Sequence, residues 1–298
     1  MSVFDRFFSG ERLLLEDKAR ASLPGNSVAL SDGVTYYEMG GPPRGNPVVL
    51  IHGFSVPNFI WDPTFAALTQ AGFRTLCYDL FGRGYSDRPK ARYDKALFVR
   101  QLAELLEVMK FPQVDLVSLS MGGVVAAEFA FRFPKRVRKL VFISPAGFDL
   151  ELPWTVKLLK FPVLGELVFG GLGLFGTGSL LQAMFNDFHN PSQQALDAFA
   201  VRYLEQMKYR GFKRAILSTL RNRMLDEDLD LFRRVGTIEK PVLLLWGKMD
   251  RTIPFRHHEM FRRLVPQSEF YAIEEAAHIS HFEKPDLVNP ILISFLSR

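Results

Sequence analysis

The chain has 298 residues, 48% apolar and 23% charged, with a formal net charge of +5. This composition excludes a disordered or fibrous chain and suits one α/β domain of roughly 200–250 residues plus an insertion. The single cysteine, Cys77, excludes an intramolecular disulfide, and its place in the run Thr75-Leu76-Cys77-Tyr78 reads as inert core.

In chain order, Met1 to Leu23 carries Asp5, Arg6, Glu11, Arg12, Glu16, Asp17, Lys18 and Arg20, and no apolar stretch of signal-peptide length. It reads as a short amphipathic extension over residues 1–25, with Phe4, Phe7 and Phe8 on one side. Val28 to Gly40 reads as a hairpin turning at Asp32-Gly33. Buried strand-like runs follow at Val48–Ile51, Thr75–Tyr78, Val114–Leu119 and Lys139–Ile143. Helical spacing runs over Ala96–Met109, where Phe98, Leu102, Leu105, Leu106 and Met109 share a face, and over Met121–Phe131. From Pro145 to about Arg234 no comparable strand appears. The alternation resumes with Val242–Trp246, a helix around Arg256–Leu264, a strand at Glu269–Ile273 and a closing helix over Leu287–Leu296.

Strands alternating with helices predict an α/β fold: a mostly parallel twisted sheet with helices on both faces and an inserted helical cap. The expected core spans residues 26–145 and 235–298, with the cap over 146–234. Within the cap, Phe161 to Leu181 is apolar and about long enough to span a bilayer. Pro162, Glu166, Gly170, Gly171, Gly173 and Gly176 argue instead for a flexible cover over a pocket, or for an interfacial segment. Arg202 to Arg223 holds seven Lys or Arg against Glu205 alone. Without interleaved aromatics it reads as a solvated helix face rather than a nucleic-acid site.

Ligands of open α/β sheets sit at the carboxyl ends of strands, so the residues just past each strand carry the chemistry. After Val114–Leu119 comes Ser120-Met121-Gly122-Gly123, a serine at a strand-to-helix turn with a small residue two places later. Ser118 stands two places before, where glycine is usual. Alone, Ser120 reads equally as a helix N-cap. After Val48–Ile51 comes His52-Gly53-Phe54. The Phe54 and Met121 N–H groups are candidate oxyanion donors, and His52 is expected to support the loop. Asp250 follows Val242–Trp246 and His278 follows Glu269–Ile273. The chain order Ser, Asp, His is that of a catalytic triad on this kind of sheet. His281 competes with His278, and Asp149 with Asp250.

His52-Gly53-Phe54, Asp79-Leu80-Phe81-Gly82-Arg83-Gly84-Tyr85-Ser86, Ser118-Leu119-Ser120-Met121-Gly122-Gly123, Trp246-Gly247-Lys248-Met249-Asp250 and Ala277-His278 resemble the α/β-hydrolase superfamily. Ser144-Pro145-Ala146-Gly147 is similar to its carboxylesterase and monoacylglycerol lipase branch. The resemblance implies a serine hydrolase of carboxylic esters with apolar acyl groups. Ser120 would be the nucleophile, His278 the base, Asp250 its acid, and Phe54 and Met121 the oxyanion hole. Ser120 stands where the family's haloalkane dehalogenases and epoxide hydrolases carry an aspartate, which argues against both. The alternatives are a C–C bond hydrolase of the meta-cleavage type, with Arg202 to Arg223 serving an anionic substrate, and a non-catalytic ligand-binding protein. No cofactor or metal is implied, since no metal-ligand spacing occurs. The expected partner is a small ester, with no nucleic acid. The expected location is cytoplasmic, and peripheral contact with anionic lipid through Lys208, Arg210 and Lys213 is a further expectation.

Overall fold

A computed structural model of the protein describes residues 11–150, 154–170 and 184–298. The strand-like runs become one eight-stranded sheet: β1 (Asn26–Leu30), β2 (Gly33–Gly40), β3 (Pro47–Ile51), β4 (Arg74–Tyr78), β5 (Val114–Leu119), β6 (Val137–Ile143), β7 (Val242–Gly247) and β8 (Ser268–Ile273). Their spatial order is β1-β2-β4-β3-β5-β6-β7-β8. β2 is antiparallel to both its neighbours, and every pair from β4 onward is parallel. The hairpin turns one residue earlier than expected. Leu30 faces Gly33, so Ser31 and Asp32 form the loop. The Glu104 carboxylate holds it, accepting from the Ser31 N–H and hydroxyl.

Alternate residues of each central strand pack on opposite faces, as a two-residue period requires. Val49, Ile51, Leu116, Phe142, Leu244 and Trp246 join one apolar layer. Val48, Leu50, Val117, Leu119, Val141, Ile143 and Leu245 join the other. The first layer is closed by Lys95–Val108, Met121–Arg132, Leu229–Gly236 and His257–Leu264, the second by Asp62–Gln70 and Pro285–Ser297. Sequence periodicity gave no sign of the helix Asp62–Gln70. Pro63 starts its first turn, but it buries only Thr64 and Leu68, too thin a stripe to read as amphipathic. Cys77 is a buried member of the second layer, and burial pushes its thiol well up, as expected of an inert core cysteine.

Between β6 and β7 the described residues form helices and no strand: Trp154–Leu158, Leu164–Gly170, Gln193–Gln206, Phe212–Arg221 and Leu229–Gly236. The last packs Leu231, Phe232 and Val235 into the first layer of the sheet core. Gly171, Gly173 and Gly176 lie outside the described residues, as do Phe4, Phe7 and Phe8 of the amphipathic extension. Residues 11–13 of that extension dock on the insertion, while Arg20 reaches the Tyr85 carbonyl and Asp87 in the turn after β4. Leu13 pairs with Tyr209, and the Glu11 carboxylate accepts from the Gly211 and Lys213 N–H groups at the start of Phe212–Arg221. No helix among the described residues is long and apolar enough to cross a membrane.

Candidate active site

The turn after β5 puts Ser120 at φ 53°, ψ −121°, a conformation that L-residues avoid. The turn is pinned from three sides. Ser120 N–H donates to the Ile143 carbonyl at 3.0 Å, and its own carbonyl accepts from Gly123 N–H at 2.8 Å and Ala146 N–H at 3.0 Å. Gly122 is required by space, since a Cβ there would lie 2.4 Å from the Ile51 carbonyl oxygen. Ser118, the departure from glycine, is accommodated because its hydroxyl turns away to the Val141 carbonyl at 2.8 Å.

The β3 loop abuts this turn. A Cβ on Gly53 would stand 3.2 Å from Ser120 Cβ. His52 is buried and neutral, pushed down to about 3 chiefly by desolvation. Leu80 N–H donates to its Nε2 at 2.9 Å, so Nδ1–H donates to the Gly53 carbonyl at 2.9 Å. It supports the loop, as the sequence suggests. The Phe54 carbonyl accepts from Arg83 Nε at 2.7 Å. The Phe54 and Met121 N–H groups donate to no other group among the described residues.

Asp250 and His278 come from the ends of β7 and β8, and their loops are laced together. Lys248 N–H donates to the Ile273 carbonyl and Met249 N–H to the Ala276 carbonyl. Gly247 admits this approach, since a Cβ would lie 2.1 Å from the Ala277 carbonyl oxygen. His278 Nδ1 meets Asp250 Oδ2 at 2.9 Å, with both residues buried. Asp250 Oδ1 accepts from the Thr252 and Ile253 N–H groups at 2.9 Å each. Burial alone would lower the His278 pKa. Asp250, Asp187 and Glu283 together outweigh it and push the imidazole up to about 9. His281 stands apart. It is fully buried, pushed down to about 3 by desolvation, and packed at a tilt against Trp61 at 4.2 Å between ring centres. Asp149 is exposed.

Ser120 and His278 line one cavity of about 130 Å³ with Phe54, Val56, Leu119, Leu150, Met184, Leu225, Ile253 and Ile279. Leu150, Met184 and Leu225 come from the interval between β6 and β7, so that interval covers the serine. Among the described lining residues none is Lys or Arg. Five cations of the basic stretch are engaged elsewhere. Arg202 pairs with Asp62, Lys208 with Glu205, Arg221 with Glu166 and Arg223 with Asp226, while Arg214 donates to the Arg88 carbonyl. One cavity residue had no sequence signal at all. Asp187 is buried, follows no strand and belongs to no motif, yet its carboxylate accepts from Thr252 Oγ1 at 2.5 Å and its carbonyl from His278 N–H at 3.1 Å.

Residues 46–285 match the family model for the α/β-hydrolase fold. The chain belongs to the α/β-hydrolase family. A putative 2-succinyl-6-hydroxy-2,4-cyclohexadiene-1-carboxylate synthase of Bacillus subtilis is 29% identical to this α/β hydrolase over 277 residues, covering 91% of this chain and 98% of the relative. A 2-hydroxy-6-oxo-2,4-heptadienoate hydrolase of Pseudomonas putida is 26% identical over 246 residues, 80% of this chain and 85% of the relative. Among solved structures, a 2-hydroxy-6-oxo-6-phenylhexa-2,4-dienoate hydrolase from a Rhodococcus strain superposes with a TM-score of 0.78 at 18% identity. It covers 92% of this α/β hydrolase and 98% of that chain, a likeness of fold.

Proposed function

We propose that this α/β hydrolase is a serine esterase that cleaves carboxylic esters with short apolar acyl groups. The observation that carries the reading is the buried His278–Asp250 bond of 2.9 Å beside the strained turn of Ser120, in one apolar cavity. Asp250 accepts the Nδ1 proton and leaves Nε2 as the basic nitrogen. His278 Nε2 takes the Ser120 proton as Oγ attacks the ester carbonyl, then returns it to the departing alcohol. The Phe54 and Met121 N–H groups hold the oxyanion. Water then breaks the acyl–Oγ bond with His278 again as base.

The cavity volume of about 130 Å³ falls below the ~300–1,000 Å³ of drug-sized ligand sites, which favours short acyl chains. The dienoates named for the Pseudomonas and Rhodococcus hydrolases carry a carboxylate. A cavity with no lining Lys or Arg among its described residues, and with Asp187 in its wall, suits a neutral ester better. The test is turnover of p-nitrophenyl butyrate by the parent and by Ser120→Ala. A loss of about 10³-fold or more is expected, with fluorophosphonate labelling of Ser120 alone. Activity within tenfold of the parent would overturn the assignment.

A further inference from the structure

The geometry points to Asp187 as a specificity-determining residue that keeps the cavity for neutral acyl groups: its carboxylate turns away esters bearing a second, ionised carboxylate and drives out the carboxylate product. The inference rests on the esterase reading above and names the substrate class within it.

Asp187 shares the cavity wall with Ser120 and His278, and it is only 5% exposed. It cannot swing away cheaply. Thr252 Oγ1 donates to its Oδ1, and its backbone carbonyl is tied to the N–H of His278. The ionisable groups facing it are His278 after β8, Asp250 after β7 and Tyr203 on Gln193–Gln206, with Glu283 behind His278. The cation in that set is His278 in its protonated form. Burial pushes the Asp187 carboxyl up, to about 6, so it is ionised at pH 7.5 and neutral in mild acid.

The charge matters most at the end of the cycle. In deacylation the water oxygen bonds to the acyl carbon and the bond from that carbon to Ser120 Oγ breaks. The proton taken from water passes through His278 to Oγ. The acid is released with its own proton, which passes to His278, the strongest base beside it, leaving a carboxylate product and an imidazolium. The one imidazolium is already shared between the buried carboxylates of Asp250 and Asp187, so an anionic product, or a second carboxylate on the acyl group, adds a further negative charge to this wall, where like charges repel strongly.

The experiment compares p-nitrophenyl butyrate with mono-p-nitrophenyl succinate, which differ by a terminal carboxylate. The parent is expected to prefer the neutral ester at pH 7.5. Asp187→Asn is expected to reduce that preference at least tenfold, mainly through a gain on the anionic ester, and to bind butyrate more tightly as product inhibitor. If the variant fails to fold, the parent decides the matter alone. Its preference should relax between pH 7.5 and 5.5 when the anionic ester carries a terminal sulfonate, which stays ionised over that range, and the ratio of the two kcat/KM values cancels the titration of His278. Ser120-dependent turnover with a preference that neither the variant nor pH moves would overturn the inference and leave the esterase reading standing. A parent that turns over neither ester and leaves Ser120 unlabelled would overturn both.

Discussion

Asp250 and Asp149 both follow strands, and burial separates them. Asp250 is 6% exposed, with every carboxylate oxygen bonded toward His278 or its own loop, whereas Asp149 faces solvent. Asp250→Asn is therefore expected to lower kcat/KM by about 10³–10⁴-fold, since the amide no longer favours the needed imidazole tautomer. Asp149→Asn should stay within about threefold by the same assay, as surface changes usually do. The histidines divide likewise. His281→Ala removes a packed ring and should cost about 2–4 kcal/mol in denaturant unfolding, with the folded fraction still active. His278→Ala should abolish turnover. The surrounding carboxylates also set a pH dependence. The folded pKa of His278 is raised above 6.5, so its neutral, basic form grows in only as pH rises through the higher value. The acid limb of kcat/KM is expected to have its midpoint above pH 6.5. The same shift stabilises the fold fully below pH 6.5, and that stabilisation is lost as pH climbs toward 9. A limb centred below pH 6 would contradict the carboxylate environment described.

At the scale of elements, one side chain joins three of them. Arg83 is fully buried in the turn after β4 and forms no ion pair among the described residues. It donates to the Phe54 carbonyl on the β3 loop, to the Phe81 carbonyl at 3.1 Å, and to Thr219 Oγ1 at 2.8 Å on Phe212–Arg221. The rings of Phe54, Phe98 and Tyr93 lie within 5.9 Å of the guanidinium. A cation held by neutral acceptors and aromatic faces ties the covering helix to the loop that carries Phe54. Arg83→Met keeps much of the volume and leaves these acceptors unpaired. It should cost about 2–3 kcal/mol by chemical denaturation. It should also lower kcat more than it raises KM, because the Phe54 amide loses its fixed direction. Full kcat in a destabilised Arg83→Met protein would show that the tie serves folding alone.

Across the whole molecule, the sheet supplies Ser120, Asp250 and His278, and the interval between β6 and β7 supplies the apolar wall. Leu225 and Met184 line this wall, and on the esterase proposal they set how much acyl chain fits. Leu225→Ala should enlarge the cavity and shift the optimum of a p-nitrophenyl ester series toward longer chains, while costing about 1–3 kcal/mol of packing because Leu225 is only partly buried. An unchanged chain-length profile would mean that the acyl group lies elsewhere.

What the sequence by itself determined is what depends on local period and local turn chemistry. Short, nearly continuous apolar runs at Val48–Ile51, Val114–Leu119 and Val242–Trp246 mark strands buried on both faces, and the ordering of Ser120, Asp250 and His278 at strand ends follows from them. Gly122 was readable because a turn that tight leaves no room for a side chain. The tertiary structure decided what depends on distant segments meeting. It separated His278 from His281, which lie on one short stretch of chain but face an acid and an indole. It set Arg202 against Asp62 and Arg221 against Glu166, pairings between distant segments that charge counting along the chain does not show, while Arg202, Lys208, Arg210 and Arg223 stay exposed as the sequence suggests. It also brought Asp187 from the insertion to the histidine loop. A single aspartate in an irregular segment carries no periodic or motif signal, so its chemistry exists only once the strands have placed Thr252 and His278 beside it.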